Sequence, residues 1–205
     1  MGSHKFAALL GLGAVALAGC LTTTSGSLAP AATTSAPTSG SAAPSTPSVS
    51  IPYTLTAPHP PPNKDNNGTS FDPCVAYTAD EIRSWGVDPE KVDDTGTQGL
   101  EIRGCGWSAD GWEIAQTVIN NPLSDYLNNP QYPNAHRQTI GGLDAVVYHD
   151  RVTGDSGCYV ALPSQQATVH VLADIYNEKT GRKGLPDPCA KAIDVAAFVA
   201  TKLPK

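Results

Sequence analysis

Charged residues are missing from a long stretch near the start of this 205-residue chain. Between Leu21 and Pro62 there is no Asp, Glu, Lys or Arg, and Ser, Thr, Ala, Gly and Pro predominate. A segment of this composition buries too little apolar surface to offset the entropy that it loses on ordering. We therefore predict that residues 20–62 form a disordered tether and that residues 63–205 form one folded domain.

Long apolar runs are also missing. The segment Phe6–Ala18 has 13 residues, whereas a membrane-spanning helix needs about 20. Lys5 precedes this segment and small residues follow it, which is the arrangement of a cleavable export signal over residues 1–19. No later run is long enough to span a bilayer, so we expect the rest of the chain to lie outside the membrane on its outer side.

The end of this signal carries a short motif, Leu17-Ala18-Gly19-Cys20. It resembles the lipobox of bacterial lipoproteins, in which the Cys thiol receives diacylglycerol and a signal peptidase cuts just before it. The resemblance implies that Cys20 carries fatty acyl chains such as palmitate and anchors the protein to the outer face of the cytoplasmic membrane, with membrane lipid as its partner. The alternative is an ordinary secretory signal in which Cys20 has no role.

Basic clusters are absent from the predicted domain. All 19 Asp and Glu residues lie in it, together with every Lys and Arg except Lys5, so the domain is acidic. Its longest basic run is Arg182-Lys183. This pattern argues against a nucleic-acid partner and against an electrostatic lipid-binding face.

Closely spaced cysteine pairs are absent as well. Four cysteines follow Cys20, and no two of them form the C-x-x-C spacing of zinc sites or redox motifs. Because an even number outside the cytoplasm favours disulfides, we predict two, from Cys74, Cys105, Cys158 and Cys189. The sequence leaves three pairings open, and we favour Cys74 with Cys105 and Cys158 with Cys189, which closes two loops of about 32 residues.

Helix signals flank the domain. Asp72-Pro73-Cys74 and Asp187-Pro188-Cys189 share an Asp cap and a Pro suited to a first helical position, so we predict that both cysteines lie at helix starts. Thr78-Ala79-Asp80-Glu81 is a capping box for a helix that ends at Gly86. Apolar residues at helical spacing after Cys189 predict a C-terminal helix to about Leu203.

Between these helices the pattern is mostly that of strands. Hairpin signals lie at Asp110-Gly111 and at Gly154-Asp155-Ser156-Gly157, and a short crossing helix is predicted over residues 123–128. The predicted fold class is α+β, an antiparallel sheet of about five strands with N-terminal and C-terminal helices packed on it and two disulfides. The predicted strands are 100–108, 112–119, 144–149, 158–162 and 167–175.

Several of these segments together resemble a known family. Phe71-Asp72-Pro73-Cys74, Cys105-Gly106-Trp107, Cys158-Tyr159-Val160 and Asp187-Pro188-Cys189, with Gly86, are similar to domain of unknown function number 3558, carried by actinobacterial lipoproteins of mycobacterial and nocardial type. The similarity covers about residues 69–203. It implies an envelope lipoprotein and brings no catalytic residues.

Motifs of catalysis are missing. Gly154-Asp155-Ser156-Gly157 matches the nucleophile segment of trypsin-like proteases, but the early histidine motif and the large all-β fold of those enzymes are not indicated, so we interpret it as a polar turn. We predict no catalytic residue, no metal and no cofactor. We expect Trp107 to pack in the core and Trp112 to be half exposed. Trp112 could alternatively form a ligand surface with Tyr148 or Tyr159.

These observations favour a non-enzymatic binding or adaptor lipoprotein, with an envelope protein or a small ligand as its unidentified partner. One alternative is an envelope hydrolase of unrecognised type, marked by a concave site where Asp, Glu or His residues converge with shifted pKa values. Another is an extracytoplasmic sensor component.

Overall fold

The computed structural model describes residues 59–97 and 101–204, which contain three α-helices and seven strands. The predicted export signal, Cys20 and the tether up to residue 58 lie outside the described residues. The helices are α1 Ala79–Ser84, α2 Glu178–Gly184 and α3 Pro188–Ala200. The strands are β1 Val92–Asp94, β2 Arg103–Ser108, β3 Trp112–Ile119, β4 His136–Ile140, β5 Leu143–Tyr148, β6 Gly157–Ser164 and β7 Ala167–Ile175.

The strands form one antiparallel sheet in the order β1-β2-β3-β7-β6-β5-β4. Tight turns join β2 to β3, β4 to β5 and β6 to β7, and the long β3–β7 pairing joins the two halves of the sheet. Successive side chains of a strand point to opposite faces, so each strand contributes to both sides of the sheet. The α+β class and the antiparallel sheet are confirmed.

The strand count of about five is wrong, because β1 and β4 complete a sheet of seven. Both are edge strands, and neither has the apolar alternation by which the sequence analysis detects strands. β1 is only three residues long, and it contains Asp93 and Asp94. β4 is His-Arg-Gln-Thr-Ile, in which only Ile140 is buried. Polar edge strands of this kind limit pairing with other chains.

Two predicted helix starts are confirmed. Thr78 caps α1 in a capping box, since its hydroxyl accepts from the Glu81 amide while the Glu81 carboxylate accepts from the Thr78 amide. Gly86, at φ +90°, follows the end of this helix. Asp187 caps α3 by accepting from the Ala190 amide at 3.0 Å.

The predicted helix start at Cys74 is wrong. The Asp72 carboxylate accepts from the Cys74 amide at 3.0 Å, but residues 73–75 form a single turn and no helix follows directly. The helix begins only after Thr78, which offers a complete capping box. The structure also contains α2, which was not predicted because its two glycines and lack of apolar residues at helical spacing give no helix signal in the sequence.

The main core lies between the helices and one face of the sheet. Its largest fully buried side chains include Trp107, Ile82, Ile114 and Leu162, and Trp107 is in the core as predicted. The structure joins Cys74 to Cys105 and Cys158 to Cys189, which is the pairing favoured from the sequence. One disulfide attaches the N-terminal segment to β2, and the other attaches the start of α3 to β6.

The N-terminal segment of the domain is held by a buried arginine. Arg103 on β2 donates from Nε to the Asn66 carbonyl at 2.9 Å and from Nη2 to the Thr69 and Phe71 carbonyls at 2.8 and 2.7 Å. These bonds fix residues 66–71 against the sheet edge. Among the described residues, no helix has the length and apolar composition needed to cross a membrane.

Candidate ligand-binding groove

A groove of about 440 Å³ lies on the sheet face opposite the helices. Alternation along β3 supplies Glu113, Ala115, Thr117 and Ile119 to this face, while the intervening residues enter the main core. The segment between β3 and β4 folds over one side and adds tyrosines. The complete lining is Thr95, Ile102, Glu113, Ala115, Thr117, Ile119, Asn121, Tyr126, Tyr132, Tyr148, Asp150, Tyr159, His170 and Leu172.

Four tyrosines form one wall, here called the tyrosine cluster: Tyr126, Tyr132, Tyr148 and Tyr159. Tyr148 is at the centre, with ring-centroid distances of 4.7 Å to Tyr132, 4.9 Å to Tyr159 and 5.2 Å to Tyr126. Tyr126 and Tyr148 are buried, whereas Tyr132 and Tyr159 are partly exposed to the groove. Burial raises the pKa of all four phenols, so their hydroxyls stay protonated at neutral pH and can donate hydrogen bonds.

His170 lies beneath the tyrosine cluster on β7. Burial lowers its pKa to about 4, so the imidazole is neutral at pH 7. Its Nε2 lies 3.0 Å from Thr168 Oγ1 and its Nδ1 lies 3.0 Å from the Tyr148 hydroxyl. Because the Thr168 hydroxyl is directed to the Ile119 carbonyl, the consistent assignment is that Nε2–H donates to Thr168 and Tyr148 donates to Nδ1. Both ring nitrogens are therefore engaged.

The groove carries acidic groups. Burial, followed by the nearby Asp174 and Asp93 carboxylates, raises the pKa of Glu113. One Asp150 oxygen accepts from the Val152 and Thr153 amides, both at 2.8 Å. After burial, the Asp150 carboxylate is the next cause of the raised pKa of Tyr159. No Lys or Arg occurs among the described residues that line the groove. The groove therefore disfavours an anionic ligand.

The comparisons with known proteins identify a family. The family model described as "Protein of unknown function (DUF3558)" matches residues 15–202. The chain belongs to this family. No curated protein and no solved structure gives a significant match, so the DUF3558 assignment brings no described activity.

The structure places two of the three predicted ligand-surface residues of this DUF3558 chain in the groove. Tyr148 and Tyr159 line it and stack on each other. Trp112 is in the main core on the other face of the sheet and is 4% exposed, so the expectation of a half-exposed Trp112 is wrong. The helix α2, which was not predicted, covers the Trp112 indole. The packing is so close that a Cβ added at Gly184 would lie only 2.5 Å from the indole Nε1.

Several groove residues of this DUF3558 domain were not predicted from the sequence, among them Tyr126, Tyr132, Glu113 and His170. Strand alternation could have assigned Glu113 and His170 to the face opposite the core, because their neighbours in sequence are strongly apolar. No local signal places Tyr126 and Tyr132, because the segment between β3 and β4 reaches the groove only through tertiary packing.

The protease-like segment of this DUF3558 chain is not a catalytic triad. The Ser156 hydroxyl donates to the Thr153 carbonyl at 2.7 Å and lies 3.3 Å from Asp174 Oδ1. The nearby His149 ring bonds the Gly154 and Gly157 carbonyls and not the serine. The segment acts as a turn, as interpreted from the sequence.

Two His-Cys-Cys groups have the spacing of metal ligands, His59 with Cys74 and Cys105, and His149 with Cys158 and Cys189. In both groups the two sulfurs are joined in a disulfide. A disulfide sulfur is not the thiolate that binds zinc, so these groups do not form zinc sites in the oxidised protein.

Proposed function

We propose that this protein is a membrane-anchored envelope lipoprotein whose domain binds a small ligand in the tyrosine-lined groove. The observation that carries the proposal is the groove itself, an open cavity of about 440 Å³ with one aromatic wall. Ligand sites generally have volumes of about 300 to 1,000 Å³, mostly apolar linings and a few polar groups that fix orientation. Ile119 and Leu172 provide apolar surface, and the tyrosine hydroxyl oxygens can accept hydrogen bonds.

The groove chemistry favours a ligand without negative charge. Aromatic faces bind apolar rings and organic cations, and carboxylates add attraction for cations. Asp150 supplies such a carboxylate, and no described lining residue is a Lys or Arg that would compensate an anion. We therefore expect an uncharged or cationic molecule with at least one apolar face.

The proposed location depends on the N-terminal sequence. A lipid anchor at Cys20 and a charge-free tether would hold the domain close to an outer membrane face, with a coil-like span of roughly 35 to 40 Å. The two disulfides agree with an oxidising compartment. Anchoring would raise the local concentration of the domain near an envelope partner or ligand source.

Mass spectrometry of the full chain, extracted from an actinobacterial host, tests the binding role. We expect a bound small molecule under native conditions that is lost on denaturation. Tyr132→Ala and Tyr159→Ala should each reduce its occupancy at least about fivefold. Tyr176→Ala is the matched control, since Tyr176 is 57% exposed and does not line the groove. A ligand that is retained equally in all three variants would contradict the groove as its site.

Replacing Cys20 with Ala tests the anchor separately. We expect Cys20→Ala to remain uncleaved or to leave the membrane fraction, and to lose the mass of the acyl chains. A Cys158→Ala/Cys189→Ala variant should keep the anchor, because those cysteines belong to the domain. Unchanged lipidation and membrane retention in Cys20→Ala would contradict the lipoprotein assignment and leave the groove proposal intact.

An envelope hydrolase is the second candidate, and Glu113 is the observation that favours it. Its raised pKa and its position in a concave site are features of a general acid. Against this role, both nitrogens of His170 are engaged by Thr168 and Tyr148. The register partner of His170 on β3 is Thr117, four residues from Glu113. If Glu113→Gln abolished turnover of a groove ligand without abolishing its binding, the hydrolase would replace the binding module.

A further inference from the structure

The two disulfides differ in how a histidine is held beside them. His149 Nδ1 lies 3.0 Å from the Gly154 carbonyl and 2.7 Å from the Gly157 carbonyl. Carbonyl oxygens only accept, so Nδ1 carries a proton and donates. In the neutral ring Nε2 is therefore unprotonated, and it lies 3.3 Å from Cys189 Sγ. The backbone thus fixes a tautomer that presents a base to this sulfur.

Within residues 59–97 and 101–204, the histidine beside the other disulfide is held differently. His59 is near Cys74 and Cys105, but its Nδ1 lies 2.8 Å from Asp94 Oδ2 and its Nε2 lies 3.3 Å from Asp72 Oδ2. The ring therefore faces two carboxylates. Cys74 and Cys105 are 3% and 0% exposed, so a solvent thiol has no access to either sulfur.

Cys189 has a second feature that favours a thiolate. It follows Asp187 and Pro188 in the first turn of α3, which has 13 residues. Amides at a helix N-terminus and an adjacent imidazolium both stabilise a thiolate. Cys189 is also partly exposed, whereas its partner Cys158 is fully buried, so Cys189 is the more accessible residue of the pair.

We propose that Cys158–Cys189 is a redox-active disulfide that exchanges with an external dithiol through Cys189, with His149 as its positioning base, while Cys74–Cys105 is structural. The first external thiol gives its proton to His149 and its sulfur bonds to Cys189 Sγ. The Cys158–Cys189 bond breaks, and the buried Cys158 leaves as a thiolate that takes this proton from His149, a ring nitrogen of which lies within 4.8 Å of both sulfurs. The second external thiolate then attacks the external sulfur of this mixed disulfide. The second external thiol gives its proton to His149, so Cys189 is released as a thiolate beside the imidazolium, and the external dithiol is oxidised to a disulfide by two electrons.

The first test is a dithiol titration of the native, fully oxidised chain. Buffers with increasing ratios of reduced to oxidised dithiothreitol are followed by acid quenching, alkylation and peptide mapping of all four cysteines. We expect Cys158–Cys189 to be half reduced at a ratio at least about tenfold lower than Cys74–Cys105. Reduction of both disulfides together, or of Cys74–Cys105 first, would overturn the proposal.

The second test is the rate at which Cys189 is alkylated in the partly reduced chain. His149→Asn keeps an amide that can donate to the two carbonyls and removes the ring nitrogen that faces the sulfur. We expect it to slow Cys189 alkylation about tenfold near neutral pH and to shift the pH dependence of the rate upward. His136→Asn is the control, because His136 is exposed on β4 and its ring bonds the Asn134 carbonyl rather than a cysteine. Equal rates in wild type and His149→Asn would remove His149 from the proposal.

Discussion

At the scale of single residues, two buried polar side chains connect the sheet to the segments that pack on it. His170 connects the floor of the groove to the tyrosine cluster, and Arg103 connects the sheet edge to the N-terminal segment. Both side chains are buried and make hydrogen bonds within the protein. Each should therefore have a measurable effect on stability.

His170 predicts a dependence of stability on pH. Its pKa is about 4 in the folded protein and 6.5 ordinarily, so below pH 6.5 the unfolded chain binds a proton that the folded chain does not. The free energy of unfolding should fall as pH decreases from 6.5 to about 4, by about 3 kcal/mol in total from this residue. Urea unfolding of wild type and His170→Gln at several pH values measures this difference.

The control for this prediction is His136→Gln, which should keep the wild-type slope because His136 is exposed. Raised pKa values of Glu113 and Asp174 act in the opposite direction, since they favour protonation of the folded chain. Glu113 and Asp174 are present in all variants, so their effect cancels when the pH dependence of the free energy of unfolding is compared between wild type and a variant. Parallel profiles for wild type and His170→Gln would contradict the assignment.

Arg103 predicts a large loss of stability on truncation. Arg103→Ala leaves the buried carbonyls of Asn66, Thr69 and Phe71 without their donor, so we expect a loss of about 3 to 5 kcal/mol in the free energy of unfolding. Arg137→Ala removes an exposed pair with Asp144 and should cost less than about 1 kcal/mol. Similar costs for the two variants in chemical denaturation would contradict this role.

At the scale of elements, α2 packs directly on the turn between β2 and β3. The Gly111 carbonyl accepts from the Tyr176 and Asn177 amides at 3.1 and 3.0 Å, just before the helix. The helix in turn covers Trp112 and makes it part of the core. This contact explains why a helix with weak intrinsic propensity forms here, since tertiary packing commonly supplies most helical stability.

Gly111 tests this contact. It has φ +84°, and a Cβ there would overlap Thr180 Oγ1 and the Gly181 backbone. Gly111→Ala should therefore cost more than about 3 kcal/mol and increase the solvent exposure of Trp112, which fluorescence reports. Gly142 is the matched control, because it has φ +82° with nothing within 4 Å of an added Cβ. Gly142→Ala should lower the free energy of unfolding by only about 1 to 2 kcal/mol. Equal losses in the two variants would mean that the positive φ, and not the contact with α2, explains the effect at Gly111.

At the scale of the whole molecule, two disulfides of equal sequence separation, 31 residues each, connect the helical side to the sheet. In the chain-entropy model each restricts the unfolded state by about 3 to 4 kcal/mol. We expect Cys74→Ala/Cys105→Ala and Cys158→Ala/Cys189→Ala each to lose about that amount in urea unfolding. A loss below about 1 kcal/mol for either pair would mean that the native state relaxes when that disulfide is absent.

The sequence by itself determined the antiparallel α+β class, the five longer strands, two capped helix starts and the four cysteines. These features could be predicted because alternation reflects which side chains are buried, and capping residues mark where helix amides need a partner. It also carries the lipobox-like motif at Cys20, which stays a prediction. It could not predict β1 and β4, whose polar residues form strands only when a neighbouring strand offers hydrogen bonds.

Only the tertiary structure decided the candidate sites. Tyr126 and Tyr132 join Tyr148 and His170 because the segment after β3 folds across the sheet, and Trp112 is buried on the opposite face because α2 covers it. His149 and Cys189 are 40 residues apart and meet because α3 starts beside the end of β5. Such sites depend on contacts distant in sequence, and local patterns carry no information about which distant segments pack together.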